Sequence, residues 1–105
     1  MGLRTTFLAL LALFVLGAAT AWGREVPVVG GYGFDWLQPT TTRCRRITAA
    51  DQSHFRSCMF RPSGHAFGLA FPYQECSISA HSQVLIYASP AVCQEAFETM
   101  QANGE

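Results

Sequence analysis

Four cysteines, Cys44, Cys58, Cys76 and Cys93, punctuate a 105-residue chain at intervals of 14 to 18 residues. No other feature limits so strongly what the chain can become. No two of them form a CxxC pair, so the spacing carries neither a zinc-ribbon knuckle nor a thioredoxin-type redox motif. An even count predicts two disulfides, and the spacing leaves all three pairings open. A short domain buries a limited apolar core, and closing loops of this size adds about 3 kcal/mol per bridge through the unfolded state. The expected role of the bridges is structural.

Residues 1–21 have the layout of an export signal. Arg4 supplies the positive start, Phe7 to Leu16 is an uninterrupted apolar run, and Ala19-Thr20-Ala21 is an A-x-A cleavage site. The run is shorter than the roughly 20 residues a bilayer crossing needs. The first cysteine is Cys44, so none stands at the cleavage point for a lipid anchor. The expected mature chain is therefore 22–105, exported to a periplasmic or extracellular setting that permits disulfides, with no stable membrane span after cleavage.

That mature chain carries six arginines, no lysine and seven acids, a formal charge of about minus one. A near-neutral balance argues against nucleic acid as a partner, which normally requires a basic excess. The charge is uneven, with Arg43, Arg45, Arg46, Arg56 and Arg61 in the middle and Glu75, Glu95, Glu98 and Glu105 later. The arginine-rich stretch is either a solvated face or a patch for an anionic envelope polymer.

Periodicity is clearest at the C-terminus. In SPAVCQEAFETMQANG, Ser89 is a cap, Pro90 suits the first helical position, and Cys93, Ala96, Phe97 and Met100 recur three and four apart. This predicts a helix over about 90–102 that lays Cys93, Phe97 and Met100 on the core. SQVLIYA (82–88) reads as a buried strand and ECSIS (75–79) as an alternating one, joined in a hairpin at Ala80-His81. The stretch 48–60 supports two readings. Thr48 to Asp51 has capping-box form, whereas FRSCMF followed by Pro62-Ser63-Gly64 suggests a strand turning toward Ala66 to Leu69. The strand is preferred, with Arg56, Cys58 and Phe60 on one face. A short helix after Pro39, running through Cys44 and Ile47, completes the expectation.

The predicted fold is thus a small disulfide-stabilised α+β domain of order α-β-β-β-α, spanning 39–105, with a three-stranded antiparallel sheet and helices packed on one face. Residues 22–38 are an extended Gly/aromatic lead-in. Element order favours Cys58 with Cys76 between strands and Cys44 with Cys93 between helices. The leader, the spaced cysteines and a C-terminal amphipathic helix ending in ETMQANG resemble small envelope proteins of Gram-negative bacteria. That resemblance implies a location and no activity.

No catalytic residue, cofactor or metal site is predicted. His54 stands four residues before Cys58, a zinc-compatible spacing on a helix, but the site would need two more ligands and a reduced thiol. His65 and His81 fall in turns, and no G-x-S-x-G elbow accompanies any serine. The aromatics are more telling: eleven fall within the mature chain, among them Tyr32, Phe34 and Trp36 in GGYGFDWLQP. This stretch lacks the lysine of a phosphate loop. The expected binding surface is Tyr32 and Trp36, if both are exposed side by side, together with Arg43, Arg45, Arg46, Arg56 and Arg61. The expected function is that of a non-catalytic exported binding or accessory module whose partner is an envelope protein or anionic polymer. The alternative is a small periplasmic hydrolase or metal-dependent enzyme built on His54, His65 or His81.

Overall fold

The computed structural model describes residues 26–104, so the export signal expected at 1–21 and Trp22 lie outside the described residues. The fold is α+β. Its elements are β1 (Tyr32–Asp35), β2 (Arg45–Arg46), a one-turn helix α1 (Ala49–Gln52), β3 (Ser57–Arg61), a 3-10 turn (Ala66–Gly68), β4 (Tyr73–Ser79), β5 (Ser82–Tyr87) and the C-terminal helix α2 (Pro90–Asn103). The strands form one antiparallel sheet in the order β2-β1-β5-β4-β3.

Among the described residues five strands replace the three expected, and both additions come from regions read otherwise. The Gly/aromatic lead-in supplies β1, which pairs with β5 from Tyr32↔Tyr87 to Asp35↔Val84. The helix expected after Pro39 does not form. Thr41 and Thr42 turn back onto the Gln38 carbonyl, and Arg45–Arg46 joins the edge of β1. That pairing continues past the strand ends, because Gly30 N–H donates to the Ile47 carbonyl and Ile47 N–H to the Gly31 carbonyl, both at 2.8 Å. Gly31 is required here by close approach: a Cβ would meet the Ile86 side chain and lie 2.5 Å from the Pro27 carbonyl oxygen.

The stretch 48–60 divides between its two readings. Thr48 and Asp51 make the capping box, with Asp51 N–H donating to Thr48 Oγ1 at 3.2 Å and Thr48 N–H to Asp51 Oδ2 at 2.7 Å. The Arg45 guanidinium at 2.8 Å, followed by the Thr48 N–H, holds the Asp51 carboxyl well below the usual carboxylate range. The helix ends after a single turn, and β3 begins at Ser57. Its partner is β4, not the Ala66 to Leu69 stretch, which forms the 3-10 turn.

The central strand β5 explains its own composition. Val84 and Ile86 face one side of the sheet and Leu85 and Tyr87 the other, and both sides are covered, so four consecutive apolar residues are buried. On the first side they join Val26, Ile47 and Cys76, flanked by Phe55, Phe60 and Ile78. Gln74, buried in this layer, donates from Nε2 to the Val26 carbonyl at 2.8 Å and so satisfies a backbone group outside the described strands. On the second side α2 covers Phe34, Leu85 and Tyr87 with Cys93, Ala96 and Met100. Ser89 caps the helix by accepting from Val92 N–H, and Phe97 meets Phe34 edge-on at 5.6 Å. The helices therefore do not share one face: α1 buries none of its residues, and its neighbours Ile47 and Phe55 pack opposite α2.

Both disulfides pair as element order favours. Cys58 and Cys76 face each other across β3 and β4 with Cα atoms 4.1 Å apart. Cys44 and Cys93, 6.1 Å apart, do not join two helices, since Cys44 lies in the loop leading into β2 and is bound to α2.

Candidate functional site

Among the described residues helix α2 lies over β1 and β5, and the same face above β4 and β3 carries no helix and only the 3-10 turn. Register places three rows of side chains across this face. One runs Arg46, Tyr32, Tyr87, Tyr73, Arg61; the next Phe34, Leu85, Glu75, Met59; the last Trp36, Gln83, Ser77, Ser57. The helix covers the middle of the first row and the start of the second. Beyond it, Glu75, Met59 and Trp36 meet solvent, Met59 being 54% exposed and Trp36 38%.

Two devices build walls on this open floor. The first holds Trp36. Asp35 Oδ2 accepts from Ser82 Oγ at 2.5 Å, and Asp35 Oδ1 accepts from the N–H groups of Gln83 and Leu37 at 3.2 and 3.0 Å. This carboxylate fixes the turn out of β1. The Trp36 indole then donates to Gln83 Oε1 at 2.6 Å, and Gln83 Nε2 donates to Ser77 Oγ at 3.2 Å, tying the ring across three strands. The indole is thus held by its polar edge with its apolar body at the surface.

The second device is the 3-10 turn. His65 and Phe67 adopt left-handed backbone conformations, with φ of 56° and 58°. Such positions cost about 1–3 kcal/mol for a non-glycine residue and persist only where the surroundings enforce them. Here the Phe67 ring stacks on Phe34 at 6.1 Å, beside α2. Gly64 lies so close against the Tyr73 ring that a Cβ there would overlap it, which seats the incoming loop on the sheet.

Between these walls is a groove of about 280 Å³ lined by Trp36, Ala66, Phe67, Tyr73, Glu75 and Leu85. Five of the six lining side chains are apolar or aromatic, and Glu75 is the only charged one. Its Oε2 accepts from Arg61 Nη2 at 3.3 Å, from the rim. Burial, then the Glu75 carboxylate, push the Tyr73 phenol above its ordinary value, so it is a neutral hydroxyl at physiological pH. A wider depression of about 700 Å³ lies between Pro39–Cys44 and the Gln94, Phe97 and Gln101 side of α2. It holds Arg43.

The expected binding residues disperse. Tyr32 is half-buried under α2 at one end of β1, and Trp36 lies past the other end, so the two are not side by side. Arg45 and Arg46 occupy the β2 edge, while Arg56 and Arg61 lie at the opposite, β3 edge. Arg45 and Arg61 are each engaged by a carboxylate, Asp51 and Glu75. His54 follows α1, His65 lies in the β3–β4 connection and His81 in the β4–β5 turn at the other end of those strands. Cys58, the partner suggested for His54, is consumed in a disulfide. Among the described residues no three His, Cys, Asp or Glu side chains gather as a metal site.

Glu75, Met59, Gln83 and Phe67 were not singled out by sequence reasoning as members of a site. The alternation in ECSIS placed Cys76 correctly, and its other phase, Glu75 and Ser77, was the available signal for the opposite face. The left-handed turn that raises Phe67 had no signal in its sequence. Compared with protein-family models, curated proteins and solved structures, the chain finds no match. Fold and groove define a disulfide-stapled α+β domain with one half-sheet left open.

Proposed function

We propose that this is a small exported, non-catalytic binding or accessory module of a bacterial cell envelope, which contacts its partner through the groove beside Trp36. The observation that carries the reading is the groove itself: an indole anchored at its polar edge and a Phe held by strained backbone frame an apolar hollow in the open half-sheet. Strain of this kind is retained where the geometry it enforces is useful. Exposed apolar hollows with polar rims mark contact surfaces. Two disulfides in so small a domain suit an oxidising compartment, and the apolar N-terminal run ending in an A-x-A site supports export.

The reading is tested by placing a photo-crosslinking residue at Met59, on the groove rim, or at Glu98, an exposed residue of α2, in cells that make the protein with its own N-terminus. A discrete adduct in the envelope fraction from Met59 and none from Glu98 is the expected result. No adduct at Met59, or equal adducts at both positions, sinks the reading.

A further inference from the structure

We propose that the groove receives an arginine side chain of a partner protein, its guanidinium stacked against the groove's aromatic rings and hydrogen-bonded to the Glu75 carboxylate. This rests on the groove being the contact surface. A hollow built only for an apolar side chain would have no charge in it, whereas here Glu75, met by Arg61 from the rim through one oxygen, keeps acceptor capacity for an occupant of opposite sign. Trp36, Phe67 and Tyr73 present ring faces or edges to the same space, and cations are drawn to such faces.

Arginine fits better than lysine. A guanidinium is planar, weakly hydrated and able to stack on a ring while donating to a carboxylate, whereas an ammonium is a compact, strongly hydrated charge. The chain's own Arg61 shows the pairing in incomplete form. It reaches Glu75 Oε2 alone, at 3.3 Å, from a side chain 44% exposed. Among the described residues no other side chain or backbone donor contacts the Glu75 carboxylate, which retains acceptor capacity toward the groove. The volume, about 280 Å³, is at the small end for ligand pockets and matches one side chain rather than an extended ligand.

The test is an NMR titration of the isotope-labelled mature chain at constant ionic strength. Nα-acetyl-arginine N-methylamide is compared with its citrulline counterpart, a neutral group of nearly the same shape. Saturable shifts are expected at the Trp36 indole N–H and the amides of 64–68 and 73–77, with citrulline binding at least about fivefold more weakly. Glu75→Gln should remove that discrimination. Arg61→Met, which takes away the internal competitor, should tighten arginine binding about threefold, and it carries the test if Glu75→Gln does not fold. In cells, the arginine compound should suppress the Met59 adduct and the citrulline compound should not.

Equal affinity for the two compounds, no saturable response to either, or a response to a neutral methyl glucoside in their place overturns the arginine assignment. In each of these cases a Met59 adduct formed without any added compound keeps the groove as the contact surface, whereas no such adduct overturns the groove reading itself. An adduct consisting of two copies of the chain overturns the separate partner in favour of self-association.

Discussion

One face of the sheet is divided into two halves with different chemistry. Under α2, Phe34, Leu85 and Tyr87 meet Cys93, Ala96 and Met100 in an apolar layer. On the open half, Trp36 and Met59 alternate with Ser57, Ser77, Gln83 and Glu75; Gln83 links Trp36 to Ser77, and Glu75 pairs with Arg61. The first half is built to exclude water, and the second to keep apolar side chains ordered while they remain wet. A single strand pair, β4 and β5, runs through both, so the difference arises from what is laid on top.

The largest test of that division compares Phe34→Ala with Met59→Ala. Phe34 is 2% exposed and touches rings of Phe67, Tyr87 and Phe97. Its truncation should cost about 3–5 kcal/mol in urea unfolding, a large share of the stability of a small domain. Met59→Ala should stay within about 0.5 kcal/mol, as surface changes do. A comparable loss at Met59 would show that the open half is core and not a contact surface.

The two disulfides divide in the same way. Cys44–Cys93 ties the β2 edge to α2 and closes 49 residues, while Cys58–Cys76 crosses the floor beneath the open half and closes 18. Chain-entropy reasoning gives about 4 kcal/mol for the first and about 3 for the second. Replacing Cys44 and Cys93 together by Ala should raise amide exchange in α2 while the Trp36 indole resonance keeps its position. Replacing Cys58 and Cys76 should move that resonance. The opposite pattern would break the assignment of one staple to each half.

The covered half was far more legible in the sequence than the open one. Ser89-Pro90 and the three-and-four spacing from Cys93 to Met100 mark α2 because capping and helical period are local rules, and the helix indeed spans Pro90–Asn103. The β4–β5 hairpin was equally local. Given that hairpin and a strand at Cys58, the cross-strand bridge followed. The strands β1 and β2 depend instead on tertiary partners. Arg45–Arg46 is too short to show a period, and Gly31 is there because Ile86 and Pro27 leave no room for a side chain, a fact that exists only once the sheet is formed. For the same reason Tyr32 and Trp36, neighbours in GGYGFDWLQP, part company: one packs beneath α2 and the other forms the groove wall.

The smallest effect concerns the two tyrosines that flank the boundary, whose rings lie 5.6 Å apart. Tyr87, in the covered half, is 1% exposed, and among the described residues no group hydrogen-bonds its buried hydroxyl. An unsatisfied buried hydroxyl costs more than it returns, so Tyr87→Phe should stabilise the protein by about 1 kcal/mol at neutral pH. Burial, then Tyr73, raise the Tyr87 phenol well above its ordinary value. For an acid whose folded pKa is raised, the neutral form is the one the fold tolerates. Stability is then fully present below the unfolded value near 10 and is lost as pH rises beyond it, because the unfolded chain ionises first. Wild type should therefore lose stability above about pH 10, and Tyr87→Phe should remove most of that loss. Tyr73→Phe should remove less, since the rise of its phenol is partly countered by Arg61. Urea midpoints of the three proteins between neutral pH and pH 11 measure this. An equal effect of both substitutions would mean that Arg61 does not offset the burial of Tyr73 and that the boundary between the halves is not where α2 ends.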